Sequence, residues 1–215
     1  MISKELLNKN RVLTMSNGRT CDKLVINFKA NPASSRDSMI IMGIRDSQVT
    51  KDILFIKELH SNDINELVDM IYWNCKEYGI KTVLIDIYGY GRAFYDFFKD
   101  NTIKQNINVI FTKGTNVYGI SEFLRELHSD IEDGRLRFLQ TPESALFSYD
   151  YPFLGFSEVM NSHRETTKLI NEIDNIYETF RNGTLRLERK NNEIDCIRAT
   201  CLIQYYGYPL YDKVD

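Results

Sequence analysis

The segment TVLIDIYGYG (82–91) sets the first limit on how this chain can fold. A nearly continuous apolar run belongs to a central strand covered on both faces, so a sheet with a layer on each side is required. One carboxylate, Asp86, interrupts the run. Burying it bare is very costly, so it must be neutralised, hydrogen-bonded or metal-bound. Gly89 and Gly91 follow, and their freedom lets the chain turn sharply and come close to whatever sits at the strand end. Asp86 is therefore either a structural residue capping that turn or one member of a site.

Upstream, LVINF (24–28), SMIIMGIRD (38–46) and DILFIKELH (52–60) read as three strands with short connections, an antiparallel meander. The period then changes. Ile64, Leu67, Val68, Ile71, Tyr72 and Cys75 recur at three- and four-residue steps, which predicts an amphipathic helix over 62–78. Ser61 or Asn62 can cap its start and Gly79 its end. After the strand at 82–87 come a helix over 93–100, a strand at NVIFT (108–112), a helix over 121–133 and a short strand at RLRFL. A long helix over 161–181, an arm at TLRLE (184–188) and a last helix from Asp195 complete the chain. Residues 1–20 are polar and read as a lead-in arm to a domain over 21–215. The order β-β-β-α-β-α-β-α predicts an α/β fold, a mixed central sheet flanked by helices, which is the layout of a ribonuclease H-like domain. A doubly wound nucleotide-binding fold would begin β-α-β instead. No G-x-x-x-x-G-K-[ST] loop is present, which argues against a self-contained ATPase.

Composition excludes less. With 43% hydrophobic residues in 215, the chain can bury a sizeable core and is not a disordered segment. A net charge of −3 gives no global positive field, yet bound divalent cations can invert the local sign of a carboxylate site. Partners are left open on this ground. Cys21, Cys75, Cys196 and Cys201 form no C-x-x-C pair and have no histidine at ligand spacing, so they read as reduced core thiols in a cytosolic protein and not as a zinc site. The first residues lack a signal-peptide run, and no stretch approaches the ~20 apolar residues of a membrane span. The expectation is a soluble protein with no membrane partner.

Beyond Asp86, few residues point to chemistry. Asp195, in NNEIDCIRATC, precedes the last helix; it is a favoured N-cap type and can serve at once as cap and ligand. Glu193 is an accessory carboxylate candidate. His60, His128 and His163 lie beside no nucleophile motif. Lys29, Arg36, Arg92 and Lys113 fall in loops at strand ends, where they either steer phosphate or are ordinary solvated charges.

Taken in order from about Leu24 to Tyr206, these segments resemble the C-terminal nuclease domain of the large terminase subunit of tailed bacteriophages. VLIDIYGYGRAFYDFF (83–98) is similar to that family's strand–acid–glycine–helix block. TKLINEIDNIYETFRNGTLRLE (167–188) and DCIRATCLIQYY (195–206) are similar to its long helix, hairpin and Asp-led closing helix. The resemblance implies a ribonuclease H-like fold and a metal-dependent endonuclease that cuts concatemeric viral DNA during packaging in the host cytoplasm. Mg²⁺ or Mn²⁺ is the implied cofactor. Double-stranded DNA, a terminase ATPase domain, the small terminase subunit and the portal are the implied partners. Asp86 and Asp195 match two of the family's three metal-binding acids. In LVINFKANPASSRDSMIIMGI the place of the third, central acid falls on Asn27, a neutral oxygen donor; Asp37 across the loop is either a turn aspartate or a partial compensation. Asn27 marks a ligand replaced by design or by natural loss, or a shift in alignment that hides the acid. The competing readings are a catalytically dead module that grips DNA or docks a motor, and another ribonuclease H-like enzyme such as a junction resolvase or a transposase core.

Overall fold

The computed structural model describes residues 2–7, 13–15, 20–29, 36–61, 63–86, 94, 97–98, 106–112, 117–138, 156–181, 184–191 and 196–211. Within the polar lead-in, where no strands were expected, β1 (Ile2–Leu7), β2 (Leu13–Met15) and β3 (Thr20–Cys21) pair as a small antiparallel sheet.

The central sheet is built from β4 (Lys23–Lys29), β5 (Asp37–Arg45), β6 (Thr50–Leu59), β7 (Thr82–Asp86), β8 (Asn108–Thr112) and β9 (Leu136–Arg137). Its spatial order is β8-β7-β4-β5-β6-β9. The β4-β5-β6 meander is antiparallel, as its short connections require. β7 joins β4 in parallel and β8 joins β7 in parallel, so the sheet is mixed. Helix α1 (Ile64–Tyr78) lies between β6 and β7 in the chain, the crossover that a parallel neighbour needs. Its N-cap is Asp63, whose carboxylate accepts from Asn65 N at 2.8 Å; Ser61 instead bonds Glu66 Oε2 at 2.6 Å. Gly79 ends the helix at φ +66°, a left-handed conformation that glycine adopts without a Cβ clash.

Three further helices follow among the described residues: α2 (Val117–Glu132), α3 (Phe156–Asn175) and α4 (Ile197–Tyr211). The helix expected to run to 181 stops at Asn175, and β10 (Ile176–Arg181) pairs with β11 (Thr184–Arg189) as a hairpin. The side-chain amide of Asn175 fixes that stop, since its Oδ1 accepts from Asn191 N at 2.7 Å and its Nδ2 donates to Asn191 O at 2.9 Å. Of the helix expected over 93–100, Phe94, Phe97 and Phe98 are described and are helical.

Strand alternation divides the core in two. Leu24, Ile26, Phe28, Met39, Ile41, Val83 and Ile85 pack with α1 and with Phe94 and Phe98 on one face. Val25, Ile40, Met42, Ile53, Ile56 and Leu84 pack with α2, α3 and α4 on the other. Both faces are covered, as the apolar run at 82–87 demanded. All four cysteines are buried and none is in a disulfide. Among the described residues, no helix is long and apolar enough to cross a membrane.

Asp130 on α2 fastens this layer to the sheet edge, accepting from Lys51 of β6 and from Arg135 Nε at 2.7 Å. Burial alone raises its carboxyl, but the hydrogen bonds from Lys51 and Arg135 outweigh that and hold it below its ordinary 3.8. A carboxyl depressed in the folded state gives stability that is present above the unfolded pKa and is lost as pH falls through the folded one. Asp130→Asn is therefore expected to melt at a lower temperature than the parent near neutral pH, the gap closing as pH falls below 3.8. A thermal melting series against pH reads this directly, and a pH-independent gap counts against it.

Candidate functional site

At the carboxyl ends of β4 and β7, strand pairing sets Thr112, Asp86, Lys29, Ser38 and Glu58 level with one another across β8, β7, β4, β5 and β6. Every member of this row is polar. The next row inward on the same face is Ile110, Leu84, Asn27, Ile40 and Ile56, apolar except for Asn27. This is the face that α4 and α3 cover. The sheet thus changes from core to polar rim within one step of two residues, at the end of the chain's most buried strands.

Asp86 is the last residue of β7 and its side chain is 3% exposed. Its neutralisation is visible: Lys29, the last residue of β4 and its register partner, donates from Nζ to Asp86 Oδ2. Lys29 therefore belongs to β4 and not to a loop, and it meets a carboxylate of its own protein.

Asn27 is fully buried, and its register partner in β7 is Leu84. It thus stands two residues short of the Asp86 level, roughly 6–7 Å along the strand. Its Nδ2 donates to Met42 Sδ at 3.0 Å, while its Oδ1 is buried without a hydrogen-bond partner. The Cys201 thiol of α4 bridges the strands beside it, donating to Asn27 O at 3.4 Å and lying 3.5 Å from Ser38 O. Burial pushes that thiol up to about 12, so it stays protonated and is no thiolate ligand.

Asp37 is buried, but it precedes Ser38 in β5 and so lies on the opposite face, level with Leu59. The fold does not bring it to Asp86. Arg36 is exposed, with Nε 3.7 Å from Glu58 Oε1. Asp195, Glu193, Arg92 and Lys113 lie outside the described residues.

A second cluster, which no local sequence motif marks, lies at the other end of the row. Arg198, the second residue of α4, donates to Glu58 of β6 and to Glu165 and Glu172 of α3. Glu172 Oε2 also accepts the backbone N–H groups of Arg198 and Ala199 at 2.7 and 2.9 Å, supplying partners for the first turn of α4. Lys168 Nζ adds a bond to Glu165 Oε1 at 2.7 Å. Burial alone would raise Glu58, but Arg198 and then Lys168 outweigh it and hold the carboxyl below its ordinary range. Burial wins at Glu172, whose carboxyl is raised despite the N–H of Ala199 and the Arg198 guanidinium. A cleft of about 280 Å³ opens beside this cluster, lined by Glu58, His60, Arg164, Glu165 and Lys168.

The donors fit a hard divalent cation in kind: a carboxylate at the sheet end and, on the same face, a buried amide oxygen with no other partner. They do not complete a set. Among the described residues no three His, Cys, Asp or Glu side chains gather as a metal group.

No family model matches the chain, and neither does any curated protein. Solved structures do match. The large terminase nuclease of thermophilic phage G20c with bound magnesium aligns with a TM-score of 0.59 over 86% of this chain and 80% of that one, at 13% identity. A mutant nuclease domain of the large terminase subunit of bacterial virus Sf6 with manganese gives 0.60 over 95% of this chain and 97% of that one, at 16% identity. The large terminase of another thermophilic bacteriophage gives 0.58 over 96% of this chain but 44% of that one, at 9% identity. At such identities the likeness speaks for architecture, and the chain has the ribonuclease H-like fold of large terminase nuclease domains.

Proposed function

We propose that this chain is a metal-dependent endonuclease domain of the large terminase kind, cutting concatemeric viral DNA during genome packaging. The observation that carries the reading is Asp86, a buried carboxylate closing the interior strand β7 in a polar row under α4. Solved domains of this fold were obtained with magnesium and with manganese, which supports Mg²⁺ or Mn²⁺ as the cofactor. Asp86 and Asp195 are the proposed ligands, with Glu193 as an accessory carboxylate and Asn27 as a neutral donor. When bound, a pair of divalent cations supplies an activated water and charge to stabilise the leaving oxygen. The chain's own work is to hold Asp86 rigidly at the end of β7 and to fasten the first turn of α4, the helix that follows Asp195 in the sequence. Arg36, Arg92 and Lys113 are proposed to meet DNA phosphates. The motor, small subunit and portal are the proposed partners of the assembled machine.

A neutral residue at the proposed central ligand removes charge that two cations need, so cleavage is expected to be slow as the chain stands. Plasmid nicking with Mn²⁺ tests this against Asn27→Asp. The variant is expected to cut faster by about tenfold or more, within the range that changes around metal ligands produce. If neither protein nicks DNA while both melt cooperatively, the nuclease reading fails. One observation favours a second reading, a docking or DNA-gripping relic: Lys29 already balances Asp86. A relic binds no Mn²⁺ at Asp86, so a metal titration separates the two.

A further inference from the structure

We infer that Lys29 is a built-in competitor for the cation site at Asp86, serving as counter-ion in the metal-free protein and giving up the carboxylate when a divalent cation binds. The inference rests on the metal-dependent reading above. Its basis is the backbone: Lys29 and Asp86 end β4 and β7 and are register partners in a parallel ladder. The pair is thus fixed by the sheet and not by a chance meeting of long side chains. Its two side chains are only 21% and 3% exposed, so water and salt screen it weakly.

Chemistry makes the two occupants exclusive at that oxygen. Lys29 Nζ already donates to Asp86 Oδ2, and an ammonium beside a divalent cation would be repelled at contact distance in a partly buried site. A cation taking Oδ2 therefore moves the ammonium away. Lys29 then has little to return to within its row. Its other neighbour there is Ser38, and the row's second acid, Glu58, is held by Arg198 and Lys168. The Lys29 side chain is partly exposed, so its ammonium can turn toward solvent. The released ammonium is then available to a DNA phosphate. Lys29 acts as a switch between two anions, the protein's own carboxylate without metal and the substrate's phosphate with it. Metal loading and phosphate recruitment become coupled through one side chain.

Two measurements test this. In a Mn²⁺ titration, Lys29→Met is expected to bind about tenfold more tightly than the parent, the loss of one charged competitor. Without metal the same variant melts at a lower temperature than the parent, because Asp86 has lost its cation; saturating Mn²⁺ closes that gap. Lys29→Arg keeps the competitor and is expected to bind Mn²⁺ no more tightly than the parent. On the unmodified protein, Mg²⁺ is expected to increase labelling of Lys29 by an amine-reactive ester relative to the exposed Lys76, read by peptide mass spectrometry. Equal or weaker Mn²⁺ binding by folded Lys29→Met overturns the inference and leaves the metal reading standing. Absence of Mn²⁺ binding by both proteins overturns the metal reading, and this inference with it. If Lys29→Met does not fold, the labelling decides: unchanged reactivity at saturating Mg²⁺ overturns the switch.

Discussion

Asp86→Asn is expected to lower Mn²⁺-dependent cleavage by at least about a hundredfold, more than changes around metal ligands usually cost, while the protein still melts cooperatively. The side chains have the same shape, so packing at the end of β7 is preserved. A neutral amide is also cheaper to bury than a carboxylate. The group left without its partner is Lys29, which is partly exposed and has a long aliphatic stem. It can carry its ammonium out to water. Stability should therefore change little while cleavage collapses. A purely structural aspartate predicts the opposite pairing, with melting temperature and activity falling together. The comparison is made at equal folded fraction, with circular dichroism melting beside the nicking rate. A folded Asp86→Asn protein that still cuts at the parent's rate removes Asp86 from the site.

What the sequence could reveal follows from which interactions are local. The run at 82–87 and the helix at 62–78 were legible because burial on one or both faces writes a period into the chain, and the observed elements Thr82–Asp86 and Ile64–Tyr78 differ from those ranges by at most two residues. Asp86 was legible for the same reason, as a charge in an apolar strand. The cap of α1 was not, because Ser61, Asn62 and Asp63 are all capping types and only backbone geometry chooses Asp63. The long helix overshot because Leu169, Ile173, Ile176 and Phe180 keep helical spacing straight through its true end at Asn175. The opposing signal was Asn182-Gly183, the residue pair favoured in two-residue hairpin turns. Arg181 pairs with Thr184 on either side of it.

Long-range register was out of reach. Nothing in LVINFKA states that Lys29, and not Asn27, stands level with Asp86; that depends on how β4 slides against β7. In the sequence Lys29 reads as a charge that either steers phosphate or faces solvent, whereas its partner in the fold is a carboxylate more than fifty residues away. Asp37 was drawn to the site by proximity in the chain, and strand alternation puts it on the other face. The Arg198 cluster was hidden for a similar reason: Glu58, Glu165 and Glu172 look like solvated charges until α3, α4 and β6 meet.

That cluster carries the largest expected effect on stability. Arg198→Met should destabilise the fold by about 3–5 kcal/mol, the range found when one partner of a buried charge network is removed. For a domain of this size that is a fall of about 10 °C or more in melting temperature. Three carboxylates, each 11% exposed or less, would lose their shared guanidinium. Lys168 remains for Glu58 and Glu165, but Glu172 keeps only backbone N–H groups. Its carboxyl is raised already in the parent, with burial as the cause, and rises further without Arg198. The sign of the pH dependence follows. A carboxyl raised in the folded state gives stability that is fully present below its unfolded value and is lost as pH rises through the folded one. The deficit of Arg198→Met should therefore shrink as the pH is lowered from neutral through the raised value of Glu172. Adding Glu172→Gln should recover part of the loss near neutral pH, since the buried charge is gone, and the two changes should not add. A deficit under about 1 kcal/mol, the scale of exposed pairs, would mean that water already screens the cluster. The consequence for cleavage is separate from folding. Glu172 and Arg198 fasten the first turn of α4, which begins two residues after Asp195. With Asp195 proposed as a ligand, a loosened α4 should cost more cleavage than the unfolded fraction explains, and a Mn²⁺ titration of the folded variant should show weaker binding.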